Sequence, residues 1–270
     1  MLAEMYKKRE KLAYVFLVGT LASALIFFIF ATPKTPSDWV ELLFFLFPIG
    51  LSIAIVLISR AHYKKVKDIE IPQSEKQLLE LKDIVIKKDA ALIPRLLLFE
   101  KSGQYVGSVE IAKTSWWVYP FLFFASSLIS LFPMTYKLAS NDGTSEITFR
   151  KTGWLKQSKV EIFNKEQKKI GTYIQEELKA LFNIRGVLYD EEEEAVLSIK
   201  ASGFSGSFSW NDQQGRRLAY FYNGMFPHEY THLFRDTHND IVELAEDTAD
   251  KDKIRLLAVI GFIFFTRIEQ

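Results

Sequence analysis

From about residue 90 onward the chain repeats one unit, two short apolar or aromatic runs joined by a polar turn, and it then closes on one wholly apolar helix. Leu97-Leu98-Phe99 and Val106 to Val109 flank the first turn; Val160 to Phe163 and Ile170 to Tyr173 flank the second. Val187 to Tyr189 pairs in the same way with Val196 to Ile199, Phe208 to Trp210 with Leu218 to Phe221, and Leu233-Phe234 with Ile241 to Leu244. In four of these five units the last apolar residue before the turn and the first after it are seven positions apart; the Trp210–Leu218 unit is one residue longer. A looser sixth copy runs from Tyr136-Lys137-Leu138 to Ile147-Thr148-Phe149 around Asn141-Asp142-Gly143. β-Branched and aromatic residues around Asn, Asp and Gly turns are hairpin chemistry. Six hairpins at a fold-level repeat predict about twelve antiparallel strands.

The terminal segment, Ile254 to Ile268, contains ten consecutive uncharged residues from Leu256 to Phe265. It is too short to cross a bilayer, which takes about 20 residues. Being apolar on every side, it must be buried on every side. Glu246, Asp247, Asp250 and Asp252 crowd its start and Arg267 sits at its end, the arrangement a helix dipole favours. A barrel of about twelve strands leaves a lumen that its own side chains do not fill. A helix about 10 Å across fills that space. The expected fold is therefore an antiparallel barrel enclosing a central helix at 254–268.

On these features, the hairpin repeat across Leu92 to Gln270 and the apolar terminal helix, the chain resembles the tubby C-terminal-like barrels, a superfamily that includes the LURP-one-related proteins and the phospholipid scramblases. The resemblance implies a twelve-stranded barrel threaded by a hydrophobic helix. For function it implies a range, from phosphoinositide binding to lipid scrambling. It assigns no residue, because no position here aligns with the basic residues through which tubby proteins hold phosphoinositide.

The N-terminal region, 1–63, reads as a transmembrane hairpin. Leu12 to Ala31 and Leu42 to Ser59 carry no charge and are long enough to span, giving helices over about 12–31 and 40–59. Lys7, Lys8, Arg9 and Lys11 precede the first; Arg60, Lys64, Lys65 and Lys67 follow the second; only Lys34 lies between. The positive-inside rule then puts both flanks, and the domain that follows, in the cytoplasm, with 32–39 outside. A signal peptide is the competing reading, but its apolar core is usually 7–15 residues and no small-x-small cleavage site follows here. Residues 64–91 read as a linker, in which Ser74 precedes Leu78, Leu79, Leu81, Ile84 and Val85 as in a capped amphipathic helix.

Within the barrel region, 114–136 has no charge, aromatic ends at Trp116, Trp117, Tyr119 and Tyr136, and prolines at 120 and 133. Aromatic ends mark an interfacial belt. A single crossing would put the first hairpin and the other five on opposite sides of the membrane, so the segment is expected to dip into the near leaflet and return. A single crossing and an ordinary core segment are the alternatives.

The chemical motifs are sparse. The chain has 270 residues, a net charge of +1 and no cysteine, which gives no reason to expect nucleic acid and removes disulfides, thiolate metal sites and thiol nucleophiles. His228-Glu229-Tyr230-Thr231-His232 is a literal H-E-x-x-H with His238 six residues on, the spacing of a zinc protease site. Pro227 at its start and Arg235 where a glycine is required oppose that reading, as does the hairpin expected to separate His232 from His238. Glu191 to Glu194 reads as a solvated turn rather than a calcium loop. Two basic runs, Arg60-Lys64-Lys65-Lys67 and Arg150-Lys151-Lys156-Lys159, are the candidate contacts to anionic head groups. The expectation is a membrane-anchored α+β protein with a tubby-like cytoplasmic barrel. It binds membrane lipids or a protein partner, uses no cofactor and is not an enzyme. Scramblase-like lipid translocation and a zinc metalloprotease built on His228, Glu229, His232 and His238 are the alternatives.

Overall fold

The computed structural model describes residues 2–30, 32–68, 72–89, 95–114, 118, 132–141, 146–153, 157–176, 183–202, 207–224 and 239–267. Contacts divide the chain into two compact units, Met1–Glu70 with Ala90–Leu92, and Ile71–Asp89 with Ile93–Gln270.

The first unit contains α1 (Leu2–Phe30), α2 (Pro36–Leu43) and α3 (Leu46–Val66). Both α1 and α3 are long and apolar enough to cross a membrane, and most of their side chains are not buried. They run antiparallel, pinned by Arg60, which donates to Glu10 at 2.9 Å and to Tyr14 at 2.8 Å, and by Tyr6 stacked on His62 at 5.1 Å. The second expected span is two helices. Thr35 and Asp38 cap α2 reciprocally, with Asp38 accepting the Lys34 and Thr35 amides at 2.8 and 2.9 Å. Pro48 has no N–H to continue the ladder, so α3 starts afresh at Leu46 and carries Arg60, Lys64 and Lys65 on its last turns.

The second unit is a twelve-stranded antiparallel sheet: β1 (Asp83–Asp89), β2 (Arg95–Phe99), β3 (Tyr105–Lys113), β4 (Met134–Ser140), β5 (Glu146–Thr152), β6 (Gln157–Phe163), β7 (Lys169–Glu176), β8 (Asn183–Tyr189), β9 (Ala195–Ser202), β10 (Ser207–Asn211), β11 (Arg217–Gly224) and β12 (Asn239–Leu244). Strands β1 to β9 form a meander, β10 to β12 a second, and β12 pairs with β1. Strands β9 and β10 lie side by side without a ladder among the described residues, so the barrel is nearly closed.

Four turns are copies of one another. In β2–β3, β6–β7, β8–β9 and β10–β11 the register slips by one at Phe99, Phe163, Tyr189 and Asn211, each paired with the residue six positions on. The fourth residue of each turn, Gly103, Gln167, Glu193 or Gly215, sits at φ between 60° and 87°, the left-handed conformation that closes a type I turn with a bulge. Asn164, Asp190 and Asp212 open three of these turns and accept amides from within them. The unit that looked one residue longer has the same turn, because Asn211 takes the place of the last apolar residue.

Helix α4 (Asp250–Arg267) packs on β2, β5, β6 and β7. Its side chains from Leu256 to Phe265 are 4 % exposed or less. Phe262 meets Tyr136 and Tyr173 edge-on at 6.4 and 6.2 Å, Phe265 meets Tyr136 at 5.0 Å, and Phe264 meets Phe221 at 5.0 Å. Each such side chain taken out of water contributes about 1.5–3 kcal/mol. Arg255, 6 % exposed, donates to the Ile170 carbonyl at 2.7 Å and to Asp252 at 2.7 Å. A Cβ on Gly171 would stand 2.8 Å from the Tyr189 carbonyl and 3.3 Å from Arg255 Nε, so only glycine leaves room for the guanidinium there. Lys251 pairs with Glu191, docking the acidic β8–β9 turn on the first turn of α4.

Two expectations are corrected. The amphipathic linker helix is absent; Leu78–Glu80 is a single 3₁₀ turn with a capping box, and residues 83–89 form β1. Ile84, Val85 and Ile86 are consecutive β-branched residues that pair with both β12 and β2. The preceding strap, 72–82, lies on the sheet. Ser74 bonds the buried Glu100, which also accepts Lys76 at 3.1 Å, and Leu78 and Leu81 are buried in the core. The fifth hairpin is also different. Both edges of β12 are taken, by β11 and β1, so Ile241 to Leu244 does not pair with Leu233-Phe234. Twelve strands remain, with β1 as the member that had been read as linker.

Candidate functional site

Strand alternation gives the barrel two different ends. All described tight turns, the start of β1 and the end of β12 lie at one end, with the start of α4. At the other end β1, β3, β5, β7, β9 and β11 finish and β2, β4, β6, β8, β10 and β12 begin, the strand ends that the long connections 90–94, 114–133, 153–156, 177–182, 203–206 and 225–238 join in sequence. Strands β3 and β4 are antiparallel neighbours, Val109 opposite Leu138, so the uncharged connection leaves and rejoins the sheet at the same end. Its last residues, Met134 to Tyr136, are core strand. Residues 115–117 and 119–131 are outside the described set, as are His228, Glu229, His232 and His238. Among the described residues no group of His, Asp or Glu could hold a metal ion.

Within each basic run the described residues differ in their surroundings. Arg60 is engaged by Glu10 and Tyr14, Lys67 pairs with Asp68 at 3.6 Å, Lys64 is exposed, and Lys65 lies on α3. On β5, Arg150 points outward with its guanidinium 5.5 Å over the Phe163 ring, whereas Lys151 points to the α4 side. Lys151 is 0 % exposed, opposite Val160, and donates to the Phe132 carbonyl at 3.4 Å. Lys159 is on the outward face beside Arg150 and pairs with Glu161 at 3.3 Å. Lys156 is outside the described residues. The period of two from Ile147 through Phe149 already put Lys151 on the core face.

Topology gathers basic residues that the runs in sequence had missed. In the three residues of each strand nearest the long connections, lysines and arginines outnumber carboxylates nine to three. At the opposite end, the same strand positions together with the turns 100–104, 164–168, 190–194, 212–216 and 245–249 hold six cations and fourteen carboxylates. On the outer face of β8–β9, Arg185 stands directly opposite Lys200, both exposed and with no acidic partner among the described residues. Directly opposed like charges, about 5 Å apart at Cβ, destabilise a sheet. At the same end Asp240 is pushed up to about 6 by burial, against the pull of Lys87.

The acidic end has a surface groove of about 360 Å³, lined by Lys82, Asp83, Lys101, Arg217, Glu243 and Glu246 among others. Its charges already answer one another. Lys82 pairs with Glu246, Arg217 lies 5.2 Å over Tyr220, and Lys101 reaches Tyr222 at 3.3 Å. The Tyr222 hydrogen bond holds Lys101 above its ordinary value, helped by Asp83 and Glu243 and opposed by burial. Beside α4, between Trp210, Phe221, Ile260 and Phe264, the free volume is about 10 Å³, room for one water at most.

No protein-family profile, curated protein or solved structure matches the chain.

Proposed function

We propose that this chain is a membrane-anchored, non-enzymatic binding module. Helices α1 and α3 cross the bilayer with both flanks cytoplasmic, the sheet encloses α4 as a tubby-like barrel, and the barrel's outer surface reads the head groups of the membrane that carries it. One observation carries the reading: among the described residues, the space beside α4 at Trp210, Phe221, Ile260 and Phe264 is filled. A pocket for a small substrate is usually 300–1,000 Å³ and apolar. Here the space beside the helix is about 10 Å³, and the larger surface groove is lined by charges that neutralise one another. What remains for recognition is the outside, next to a bilayer whose cytoplasmic leaflet is anionic.

The test is thermal unfolding of the full-length chain in detergent, titrated with phosphatidylserine or phosphatidylcholine. A ligand that binds only the native state raises the midpoint with concentration. A rise with phosphatidylserine alone, reversed by salt, is the expected result. Equal or absent shifts with both lipids would exclude head-group reading and leave a protein partner.

A further inference from the structure

We infer that the barrel docks end-on, with the end bearing the long connections set against an anionic bilayer; this rests on the lipid-binding reading above and names its surface.

Three features of that end point the same way. The first is charge. In the strand ends cations prevail there nine to three, whereas at the other end carboxylates prevail four to two in the strand ends and fourteen to six once the tight turns are added, so an anionic surface attracts one end and repels the other. A net charge of +1 for the whole chain conceals this polarity. The second is placement. Lys113, Arg150, Lys159, Arg185 and Lys200 are outward-facing and sit on β3, β5, β6, β8 and β9, a rim around the barrel end rather than a patch on its side. A rim of that kind can meet a plane with several charges at once, all within about a Debye length, 10 Å, of it. The third is the Arg185–Lys200 pair. The fold gains nothing from two opposed cations, and an anion between them would turn their repulsion into shared attraction.

The acidic end is unsuited to the same role. Its four copied turns are short and self-bonded, and Glu191, the first of the four glutamates, is held by Lys251 and Arg255 of α4. Facing that end to an anionic leaflet would set carboxylates against phosphates. At the basic end β3 finishes and β4 begins, the two strands that flank the uncharged stretch of sequence 114–133.

The chain has no cysteine, so one introduced thiol carries one label. Full-length protein in nanodiscs is labelled with a donor dye at Thr152→Cys, on the basic end, or at Glu192→Cys, on the acidic end, with an acceptor on lipid head groups. The expected result is strong energy transfer from the Thr152 position and weak transfer from the Glu192 position in phosphatidylserine discs. The contrast should fade in pure phosphatidylcholine or at high salt. Arg185→Gln with Lys200→Gln should weaken docking on the order of ten-fold or more, since each cation near an anionic surface matters by several-fold. Those substitutions remove a repulsion between strands and should leave folding intact; Lys113→Glu alone is a second, independent probe on another strand. Equal transfer from the two labels, or a contrast indifferent to lipid charge and to both variants, would overturn end-on docking. If the phosphatidylserine-specific rise in midpoint survives that result, lipid is read on another face and only the docking geometry is wrong; if it is lost too, the lipid reading falls with it.

Discussion

The two ends of the barrel are built on opposite terms. The turn end repeats one solution: a bulged type I turn at 100–104, 164–168, 190–194 and 212–216, its left-handed residue in the same place each time, capped in three of the four, with the acidic 190–194 turn tied to α4 through Lys251 and Arg255. The other end repeats nothing. Its connections differ in length and composition, its strand ends are basic, and it tolerates Arg185 opposite Lys200 and a carboxyl whose burial holds it near neutrality at Asp240. A sheet needs one well-determined end to fix its register, and the other is then free to carry features that stability alone would not select.

The largest effects should come from the core that joins α4 to the sheet. Phe262→Ala, at a 0 % exposed site between Tyr136 and Tyr173, should lose about 3–5 kcal/mol, read as a lower urea midpoint. A loss under 1 kcal/mol would mean α4 does not organise the barrel. Arg255→Met should lose about 2–3 kcal/mol, because the Ile170 carbonyl, Asp252 and Glu191 lose a common partner; hydrogen exchange should loosen first at β7 and β8.

Asp240 tests the other end with the opposite sign. Its folded value, about 6, is above the ordinary carboxylate value, so the fold binds that proton more tightly than the unfolded chain does. The resulting stability is present below about pH 4 and lost as pH rises through 6. Asp240→Asn should therefore match the parent at low pH and exceed it by about 1–2 kcal/mol at pH 8, after allowance for partial exposure. A variant less stable at pH 8 would show that the carboxylate is held by a cation instead.

Smaller effects should separate the turn copies. Gly103→Ala and Gly215→Ala should each lose about 1 kcal/mol, whereas Glu193→Gly should change stability by only a few tenths, its relief of left-handed strain offset by unfolded-chain entropy. Smallest of all, Arg185→Glu should raise the melting midpoint slightly, by a few tenths of a kcal/mol, while weakening docking in the nanodisc assay. A gain in stability together with a loss of lipid contact would be the clearest sign that this end is shaped for binding.

Several parts of this picture were legible from residues alone. Five hairpins and the buried terminal helix follow from period-two alternation, turn residues and an apolar run too short for a bilayer, all of which are local properties, whereas the total of twelve agrees only because β1 takes the place of the strand expected at Leu233-Phe234. The failures were equally local in origin. Residues 74–85 carry apolar spacing compatible with a helix, and only the open edges of β2 and β12 make Ile84-Val85-Ile86 a strand. Leu233-Phe234, which lies outside the described residues, is not the partner of β12, because β11 and β1 take both of its edges. Lys151 was grouped with its sequence neighbours although the alternation through Phe149 turned it inward.

The sequence by itself determined the two apolar helices, the hairpin repeat and the need to bury Leu256 to Phe265, because each depends on residues within a turn or two of one another. Only the tertiary structure decided that Arg185 faces Lys200, that Lys113 and Lys159 share a rim, and that one end is basic while the other is acidic. Strand direction reverses at every turn, so charges scattered along the chain at no regular interval are sorted by end only when the meander closes.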